Sequence, residues 1–174
     1  MSLLPASMDL SASESPPVSE REFRAVMGSL AASVSVVTAV HDGEVLGRTV
    51  TSLFSLALTP PTILVSIDMM SRLADLIAKS RRFSVSILAS DQQVVGDAFA
   101  GRFGDMDRFA FGVWGHWPSG NPQLHGAATS MDCELVGSME AGGHMLFAGT
   151  PIEAEINDKS PLLWHNRHYA GLVE

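Results

Sequence analysis

Two long runs of alternating residues in the C-terminal half restrict the fold of this chain more than any other feature. Apolar residues alternate with Ser, Asp and Glu from Ala128 to Met139, and a second extended run continues from His144 to Ile156. Between them lies Gly142-Gly143, a residue pair that favours a tight turn. A period of two is typical of strands with one buried face. The sequence therefore predicts a long antiparallel β-hairpin.

The N-terminal half contains a second predicted hairpin. Small and β-branched residues extend from Ala32 to Val40, and Asp42-Gly43 forms a favoured turn before a further extended run from Val45 to Leu58. Thr59-Pro60-Pro61 ends this run, because proline donates no backbone hydrogen bond. Further strands are predicted over residues 62–68 and 83–88.

Short helices are predicted between some of the strands. Ser19 and Glu22 have the spacing of a capping box, and the helix that follows has one apolar face. That face consists of Phe23, Val26, Met27 and Leu30. Two more short helices are predicted, with Ser71 and Asp91 as their N-cap residues. Because strands dominate and do not alternate regularly with helices, the pattern favours a closed antiparallel barrel over a doubly wound sheet.

The length of the chain fits one domain, since its 174 residues lie within the usual range of about 100–200. Residues 1–18 are rich in Ser, Pro and Ala, so they are predicted to form a disordered N-terminal tail, with one folded domain over residues 19–174. Residues 101–127 contain Gly, Pro and aromatic residues without a clear period, which predicts a long irregular loop of the kind that often carries function.

The composition argues against several classes of protein. Lys and Arg number 11 against 19 Asp and Glu, and the formal charge of −8 disfavours a broad nucleic-acid-binding face. No apolar run approaches the roughly 20 residues that a membrane helix requires, and with a lone Cys133 we expect a cytoplasmic protein. His165 and His168 lack a third partner, so no metal site is predicted.

A candidate phosphate site lies where the predicted strand 62–68 meets the helix that begins after Ser71. Neither GxGxxG nor a Walker-type loop is present. The helix start nevertheless offers unpaired N–H groups, the Ser71 hydroxyl and the Arg72 guanidinium to an anion. The alternative is that Ser71 only caps its helix and Arg72 is a solvated charge.

A second candidate segment is the strand end at residues 47–53, which is rich in Thr and Ser. Its hydroxyl and backbone groups could bind the polar edge of a ring, and the alternative is an ordinary half-exposed strand.

An ordered series of short motifs resembles the flavin reductase domain family, and the resemblance covers nearly all of the chain from Ser19 onward. The motifs are Phe23-Arg24, Gly47 to Ser55, Pro60-Pro61, Ser71-Arg72, Arg82 to Val85, Phe99-Ala100-Gly101, Asp107-Arg108-Phe109 and Gly142-Gly143-His144. Each is unspecific alone, and their shared order carries the resemblance. It implies an FMN-binding split β-barrel with antiparallel Greek-key strands, which dimerises with flavin near the interface.

The resemblance also implies roles for individual residues. Those implied to line the isoalloxazine are Thr49, Val50, Thr51, Ser52 and Leu53. Those implied to serve the ribityl phosphate are Asp68, Met69, Ser71, Arg72 and Leu73. Those implied to close over the far end of the flavin are Phe99, Ala100, Arg102 and Phe103, for which a helix end followed by loop core is the alternative.

The half of the site that would hold the hydride donor departs from the family pattern. His144 matches a Gly-Asp-His motif that is implied to contact the nicotinamide, but Gly143 replaces the Asp whose carboxylate would orient the imidazole. Tyr169 is a further candidate near the nicotinamide, with packing against the barrel as its alternative. Arg48 stands where the family usually has an apolar or small residue, and a cation there would favour reduced, anionic flavin.

The function implied by this resemblance is an NAD(P)H:flavin oxidoreductase that reduces FMN or FAD and supplies reduced flavin to a partner monooxygenase. Both cofactors carry out hydride transfer themselves, so no catalytic triad or carboxylate pair is required. Two alternatives share the architecture: a non-catalytic flavin- or haem-binding protein, and an oxidase that acts on a pyridoxal-type phosphate. The sequence leaves FMN or FAD, and NADH or NADPH, undecided.

Overall fold

The computed structural model describes residues 6–8 and 10–172. The helices are α1 (Glu20–Gly28), α2 (Arg72–Ser80) and α3 (Gln93–Phe99), and a 3-10 turn covers Arg108–Ala110. The strands are β1 (Ala6–Met8), β2 (Ala32–Ser33), β3 (Ser35–His41), β4 (Glu44–Val50), β5 (Leu53–Leu58), β6 (Pro61–Asp68), β7 (Arg82–Ile87), β8 (Trp114–His116), β9 (Pro122–Leu124), β10 (Thr129–Ala141), β11 (His144–Ile156), β12 (Leu163–His165) and β13 (His168–Ala170).

Both predicted hairpins are confirmed. β3 and β4 pair from Ser35↔Val50 to His41↔Glu44, and β10 and β11 pair along almost their whole length up to Ala141↔His144. The turn between β10 and β11 places Gly142 at φ 56° and Gly143 at φ 78°. Two consecutive residues with positive φ are the requirement of the tight turn that best matches strand twist. This requirement explains the Gly-Gly pair.

The extended run predicted from Val45 to Leu58 is two strands that lie at opposite ends of one sheet. The main sheet has the order β4-β3-β7-β10-β11-β6-β5, so consecutive strands β4 and β5 occupy its two edges. Among the described residues β4 and β5 do not pair with each other, so the sheet is not closed as the pattern suggested. Its strands pair antiparallel except for β1, which pairs in parallel with β10. The short connection between them is held to β6, since the Ser52 hydroxyl donates to the Ser66 carbonyl at 2.9 Å.

The core consists of two hydrophobic clusters, and the interior strand β7 is largely buried between β3 and β10. One cluster packs α2 against the sheet through Leu73, Ile77 and Phe83, and the other packs α3 through Phe99 and Leu124. Even the serines of β7 are buried, and they bond to the Thr38 hydroxyl and the Ser130 hydroxyl at 2.7 and 3.1 Å. A strand covered on both faces can retain polar side chains only when they are paired.

The helices follow their predicted positions with two differences. Ser19 and Glu22 form the predicted capping box, but α1 buries none of its residues and its apolar face stays exposed. The N-cap of α3 is Gln92 rather than Asp91, which instead pairs with Lys159 at 3.3 Å. Among the described residues, no helix has the length and apolar character needed to cross a membrane.

Two segments predicted to be irregular contain regular structure. Within the predicted N-terminal tail, Ala6–Met8 form β1, which pairs in parallel with Met139–Ala141 of β10. Within residues 101–127 the 3-10 turn is followed by the small hairpin β8-β9. Both elements are only three residues long per strand, too short for hydrophobic periodicity to show in the sequence.

Candidate functional site

A cleft of about 450 Å³ brings together the two segments that the sequence singled out separately. One wall is the part of β4 from Val45 to Arg48, and the opposite wall is the start of α2 from Ser71 to Leu73. The third wall is Asp107–Phe109 at the 3-10 turn. These walls come from residues about 25 to 60 positions apart in the chain. The strand end and the helix start therefore form one site.

Gly47 at the base of this cleft leaves no room for a side chain. A Cβ atom there would lie 2.5 Å from Cε1 of Phe99 and 2.9 Å from Cγ2 of Thr38. The Arg108 guanidinium donates to the Gly47 carbonyl at 3.1 Å and to the Phe99 carbonyl at 3.4 Å. The glycine thus lets α3 pack directly on β4, and Arg108 ties the loop to both.

The start of α2 is arranged as an anion site requires. Ser71 is the N-cap, and its hydroxyl accepts a hydrogen bond from the Leu73 N–H at 3.3 Å. Asp68 is turned back toward its own loop, where its carboxylate accepts from the Met70 N–H at 2.9 Å. The remaining N–H groups of the first turn and the partial positive charge of the helix end favour an anion.

Three arginines line this cleft in a protein of net charge −8: Arg48, Arg72 and Arg108. Arg72 forms an exposed ion pair with Glu44 of β4, and Arg108 uses part of its guanidinium on backbone carbonyls. Among the described residues, Arg48 makes no ion pair within 4.0 Å. A local excess of guanidinium groups suits a phosphate, for which their planar donors are well matched.

The connection from Thr49 to Leu53 faces two further cavities. Thr49, Val50 and Thr51 line a cavity of about 170 Å³, together with Arg102, Trp164 and Tyr169 and two smaller side chains. Thr51, Ser52 and Leu53 line a larger groove of about 1010 Å³ beside α1. The Thr49 hydroxyl already donates to the Gly96 carbonyl at 2.7 Å, so it joins β4 to α3 in this structure.

The four residues expected to close over the flavin lie in three different surroundings. Phe99 is fully buried, edge-on to Phe109 at 5.0 Å between ring centroids, and packs beneath Gly47. Phe103 stacks on Phe111 at 4.9 Å on the exposed side of the loop. Ala100 and Arg102 line the 170 Å³ cavity. Phe99 therefore fits the alternative of a helix end packed in the core, while Ala100 and Arg102 line a cavity.

Asp97 links Tyr169 and Arg102 at the edge of the 170 Å³ cavity. The Tyr169 hydroxyl donates to the Asp97 carboxylate at 2.7 Å, and the Arg102 guanidinium pairs with the same oxygen at 3.1 Å. Arg102 also lies over the ring of Trp164, 5.8 Å from its centroid. Burial, followed by the hydrogen bond to Asp97, raises the pKa of Tyr169 to about 12.

The raised pKa of Tyr169 gives a direct prediction, because Tyr169 is the only tyrosine in the chain. The protonated phenol stabilises the fold fully below the ordinary pKa of 10.0, and this stabilisation is lost as the pH rises through about 12. Ultraviolet absorbance of tyrosinate is therefore expected to stay flat until well above pH 10.0 and then titrate near 12 in the folded protein.

Asp97→Asn is the matched variant for this titration, since the amide keeps an acceptor for the phenol but removes the negative charge that opposes tyrosinate. It is expected to lower the pKa of Tyr169 toward the ordinary value. A native-state titration at the ordinary pKa in the unaltered protein would contradict the hydrogen-bonded, partly buried phenol.

His144 lies at the far end of β11, directly opposite Asp68 of β6 in the strand register. It is exposed, and its Nδ1 atom lies 3.4 Å from the Gly142 carbonyl. The Gly143 carbonyl accepts from the Met69 N–H at 3.1 Å, so the turn with the unusual glycine contacts the loop expected to serve the phosphate. The structure thus places His144 beside Asp68 and Met69 rather than beside Tyr169.

Sequence reasoning missed three residues that shape the site: Asp97, Arg108 and Trp164. Arg108 belongs to a motif that was noted without a role, whereas nothing in the local pattern distinguishes Asp97. Cys133 is fully buried, as its alternation with apolar residues predicted, and burial raises the pKa of its thiol. Among the described residues, no group of three His, Cys, Asp or Glu side chains could hold a metal ion.

The family model described as the flavin reductase like domain matches residues 27–173. In the NADH:FAD oxidoreductase of Streptomyces globisporus C-1027, solved in complex with NAD and FAD fragments, the fold is similar with a TM-score of 0.84 and 26% identity. That comparison covers 93% of this chain and 98% of the other. The antiparallel split-barrel architecture is therefore shared with solved flavin reductases.

Two characterised relatives are similar over most of their length. NADH:riboflavin 5'-phosphate oxidoreductase of Streptomyces pristinaespiralis is 37% identical over 88% of this chain and 89% of its own. The reductase component of a 4-nitrophenol 4-monooxygenase/4-nitrocatechol 2-monooxygenase of Rhodococcus opacus is 33% identical over 90% of this chain and 83% of its own. With a family model that spans most of the chain and relatives at this identity, the chain belongs to the flavin reductase like domain family.

Proposed function

We propose that this protein is an NAD(P)H:flavin oxidoreductase that reduces FMN or FAD and supplies the reduced flavin to a partner monooxygenase. The observation that carries the proposal is the cleft in which Gly47 and Arg48 meet Ser71, Arg72 and Arg108. The strand connection that follows Arg48, from Thr49 to Leu53, offers hydroxyl and apolar side chains to two further cavities. That combination matches the phosphate and the ring of a flavin.

The residues present fit a bound flavin. The start of α2 and the arginines of the cleft would hold the phosphate, and Thr49 to Leu53 would line the ring, with Asp68 and Met69 in the supporting loop. When bound, the flavin supplies the acceptor atom for hydride, and the nicotinamide supplies the donor. The protein's own contribution is to align the two rings and exclude water.

Hydride transfer between the two rings requires no acid or base from the chain. The Tyr169 phenol is protonated at neutral pH and donates its one proton in a hydrogen bond to Asp97, and its pKa of about 12 means that it does not act as a base. The ring pair Trp164 and Tyr169, 5.1 Å apart, forms a wall suited to a planar ligand. We place Tyr169 and Arg102 on the nicotinamide side on this basis. His144 lies beside Asp68 and Met69 instead, so its contact with the nicotinamide stays a prediction.

The relatives support the choice of donor and partner. One acts by its name on riboflavin 5'-phosphate with NADH, and another is the reductase component of a monooxygenase. We therefore propose NADH as the first donor to test and a flavin-dependent monooxygenase as the acceptor of the product. A cytoplasmic location accords with an acidic chain whose one cysteine is a buried free thiol.

The purified protein with NADH and either FMN or FAD tests the proposal directly. We expect NADH absorbance to fall with repeated turnover and reduced flavin to leave the protein, since it must reach a partner. Tight retention of flavin without NADH consumption would instead support a storage or sensing protein. Oxidation of a pyridoxine phosphate without nicotinamide would support the oxidase.

We further propose that the protein is a homodimer. Exposed apolar side chains lie on α1, just after it and on the edge strand β5, and the residues are Phe23, Val26, Met27, Leu30, Phe54, Leu56 and Leu58. An unpaired apolar edge strand is a liability unless another chain covers it. Phe23, Met27 and Phe54 line the same 1010 Å³ groove, so a second copy packed on α1 and β5 would add a wall to this groove.

Sedimentation velocity is expected to give a mass near twice 18.5 kDa. Replacing Phe54 with glutamate should shift the protein to monomer, because a charge in an apolar interface must be desolvated. Val113→Glu serves as the control, since Val113 is 69% exposed but lies outside α1 and β5. A monomeric native protein at high concentration would contradict the proposal.

A further inference from the structure

Three arginines surround a small cavity that extends along one side of α1, from Arg21 in its first turn to Gly28 at its end. Arg21, Arg24 and Arg167 line this cavity of about 380 Å³, together with Gly28 and Asn166 and one alanine. Arg21, Arg24 and Gly28 share one face of α1, because residues three and four apart lie on the same side of a helix. This basic face is distinct from the apolar face that carries Phe23 and Met27.

The basic face has little compensating charge. Arg24 pairs with Glu20 at 3.3 Å, but both side chains are mostly exposed, and such pairs are weak. Among the described residues, neither Arg21 nor Arg167 has an ion-pair partner within 4.0 Å. In a chain with 11 basic and 19 acidic residues, this concentration of arginine marks a site for an anion.

The backbone holds Arg167 beside α1 at a conformational cost. Asn166 and Arg167 form the turn between β12 and β13, with φ values of 48° and 64°. Such turns favour Asn followed by Gly, so the arginine occupies a position where a side chain is strained. The Asn166 N–H donates to the Gly28 carbonyl at 2.8 Å, which fixes the turn against the helix. Retained strain of this kind is typical of functional positions.

This cavity continues into the groove next to the flavin residues. Arg24 and Arg167 also line the 1010 Å³ groove, whose other walls include Thr51, Ser52 and Trp164. The strand that carries Trp164 ends in the turn that presents Arg167. The phosphate cleft with Arg48, Arg72 and Arg108 is a separate cavity that shares no lining residue with the groove. The groove therefore has cations of its own.

We propose that Arg21, Arg24 and Arg167 bind the pyrophosphate of a nicotinamide dinucleotide whose reactive ring lies in the groove. This inference rests on the proposed reductase function and assigns it a second anion site. Pyrophosphate carries two adjacent charged groups, and guanidinium forks bind such oxygens in bidentate fashion. NADH contains this group, whereas reduced nicotinamide mononucleotide lacks it. The pyrophosphate of FAD includes the flavin phosphate, which is assigned to the cleft of Arg48, Arg72 and Arg108, so FAD is not the ligand of this site.

Arg167→Gly is the decisive variant because it removes the cation and also relieves the backbone strain. We expect the KM for NADH to rise roughly 3- to 10-fold, as for loss of one exposed charged contact, with kcat little changed. The KM for reduced nicotinamide mononucleotide, measured with the same FMN, should not change. The KM for FAD, measured with NADH, serves as a control and should also stay unchanged, because the flavin phosphate is assigned to the other cleft.

Two controls separate binding from stability. Arg167→Lys keeps the charge, so its KM values should stay closer to those of the unaltered protein. Lys79→Gln is the control for loss of a charge elsewhere, because it removes an exposed charge in the last turn of α2, away from the groove. Arg167→Gly is expected to raise the melting temperature by about 2–4 °C, since glycine adopts positive φ freely. If Arg167 has only a structural role, the melting temperature of Arg167→Gly would rise while the KM values stayed unchanged. That result would overturn the inference.

Direct binding keeps the test independent of turnover. Dissociation constants for NADH and FAD can be followed by tryptophan fluorescence in the native protein and in Arg167→Gly. A native protein that binds dinucleotides without turnover would refute the reductase proposal while this comparison still decides the role of Arg167. Equal weakening of NADH and reduced nicotinamide mononucleotide, or no binding of NADH, would overturn the pyrophosphate site.

Discussion

Replacing Gly47 with valine is expected to lower the free energy of unfolding by about 3 kcal/mol, the upper part of the usual range for overpacking a core. Even the first added carbon would lie 2.5 Å from the fully buried Phe99 ring and 2.9 Å from Thr38. Neither neighbour can move freely, since one is enclosed by Phe109 and Trp114 and the other bonds to Ser84 at 2.7 Å. The midpoint of urea unfolding measures the effect.

Gly47→Val is also expected to weaken flavin binding by the protein that remains folded, beyond the loss caused by unfolding. Displacement of β4 from α3 would pull the Gly47 carbonyl away from Arg108, which now donates to it at 3.1 Å. Gly137→Ala is the matched control, because its Cβ would meet only Ala148, at 3.7 Å, in an ordinary contact. Equal unfolding midpoints for the two variants would refute the close packing at Gly47.

The double variant Arg48→Gln, Arg72→Gln is expected to weaken FMN binding roughly 10- to 100-fold, as the loss of two charged contacts to phosphate would predict. Riboflavin lacks the phosphate, so its affinity should change far less. Quenching of flavin fluorescence on titration gives both dissociation constants. Because Arg72 is exposed and already pairs with Glu44, we expect a smaller loss of FMN affinity than for two fully buried contacts.

Arg82→Gln provides the comparison for this double variant. Arg82 is also half-exposed and ion-paired, to Glu134 at 2.7 Å, but it does not line the cleft. Its removal should leave both affinities unchanged. If FMN and riboflavin lost affinity equally in the double variant, the arginines would contact the ring or support the fold, and the assignment of this cleft to a phosphate would be wrong.

Local patterns in the sequence predicted most of the strands and helices. The alternation from Ala128 to Met139 and the Gly-Gly turn predicted β10 and β11, and Ser19 with Glu22 predicted the start of α1. Such features depend on residues close together in the chain, and so they can be read without knowing the fold. The run from Val45 to Leu58 shows the limit, because nothing local indicates that its two halves leave for opposite edges of the sheet.

The candidate site could be predicted only as separate pieces. The hydroxyl-rich strand end and the helix start at Ser71 were each open to a structural explanation, and their common order with a known family favoured flavin. The structure joins them in one cleft and adds Arg108, whose hydrogen bond to Gly47 spans 61 residues of sequence. It also places His144 near Asp68 and not beside Tyr169, although both residues were candidates for contact with the nicotinamide.

The sequence by itself determined the hairpins, the helix caps and the family of this protein, because these follow from short-range periodicity and from the order of motifs along the chain. Only the tertiary structure decided which cations face which cavity, that Phe99 supports Gly47 from within the core, and that the apolar face of α1 stays uncovered. The physical reason is that burial and charge pairing depend on contacts between distant segments, and those contacts exist only after the sheet has curled.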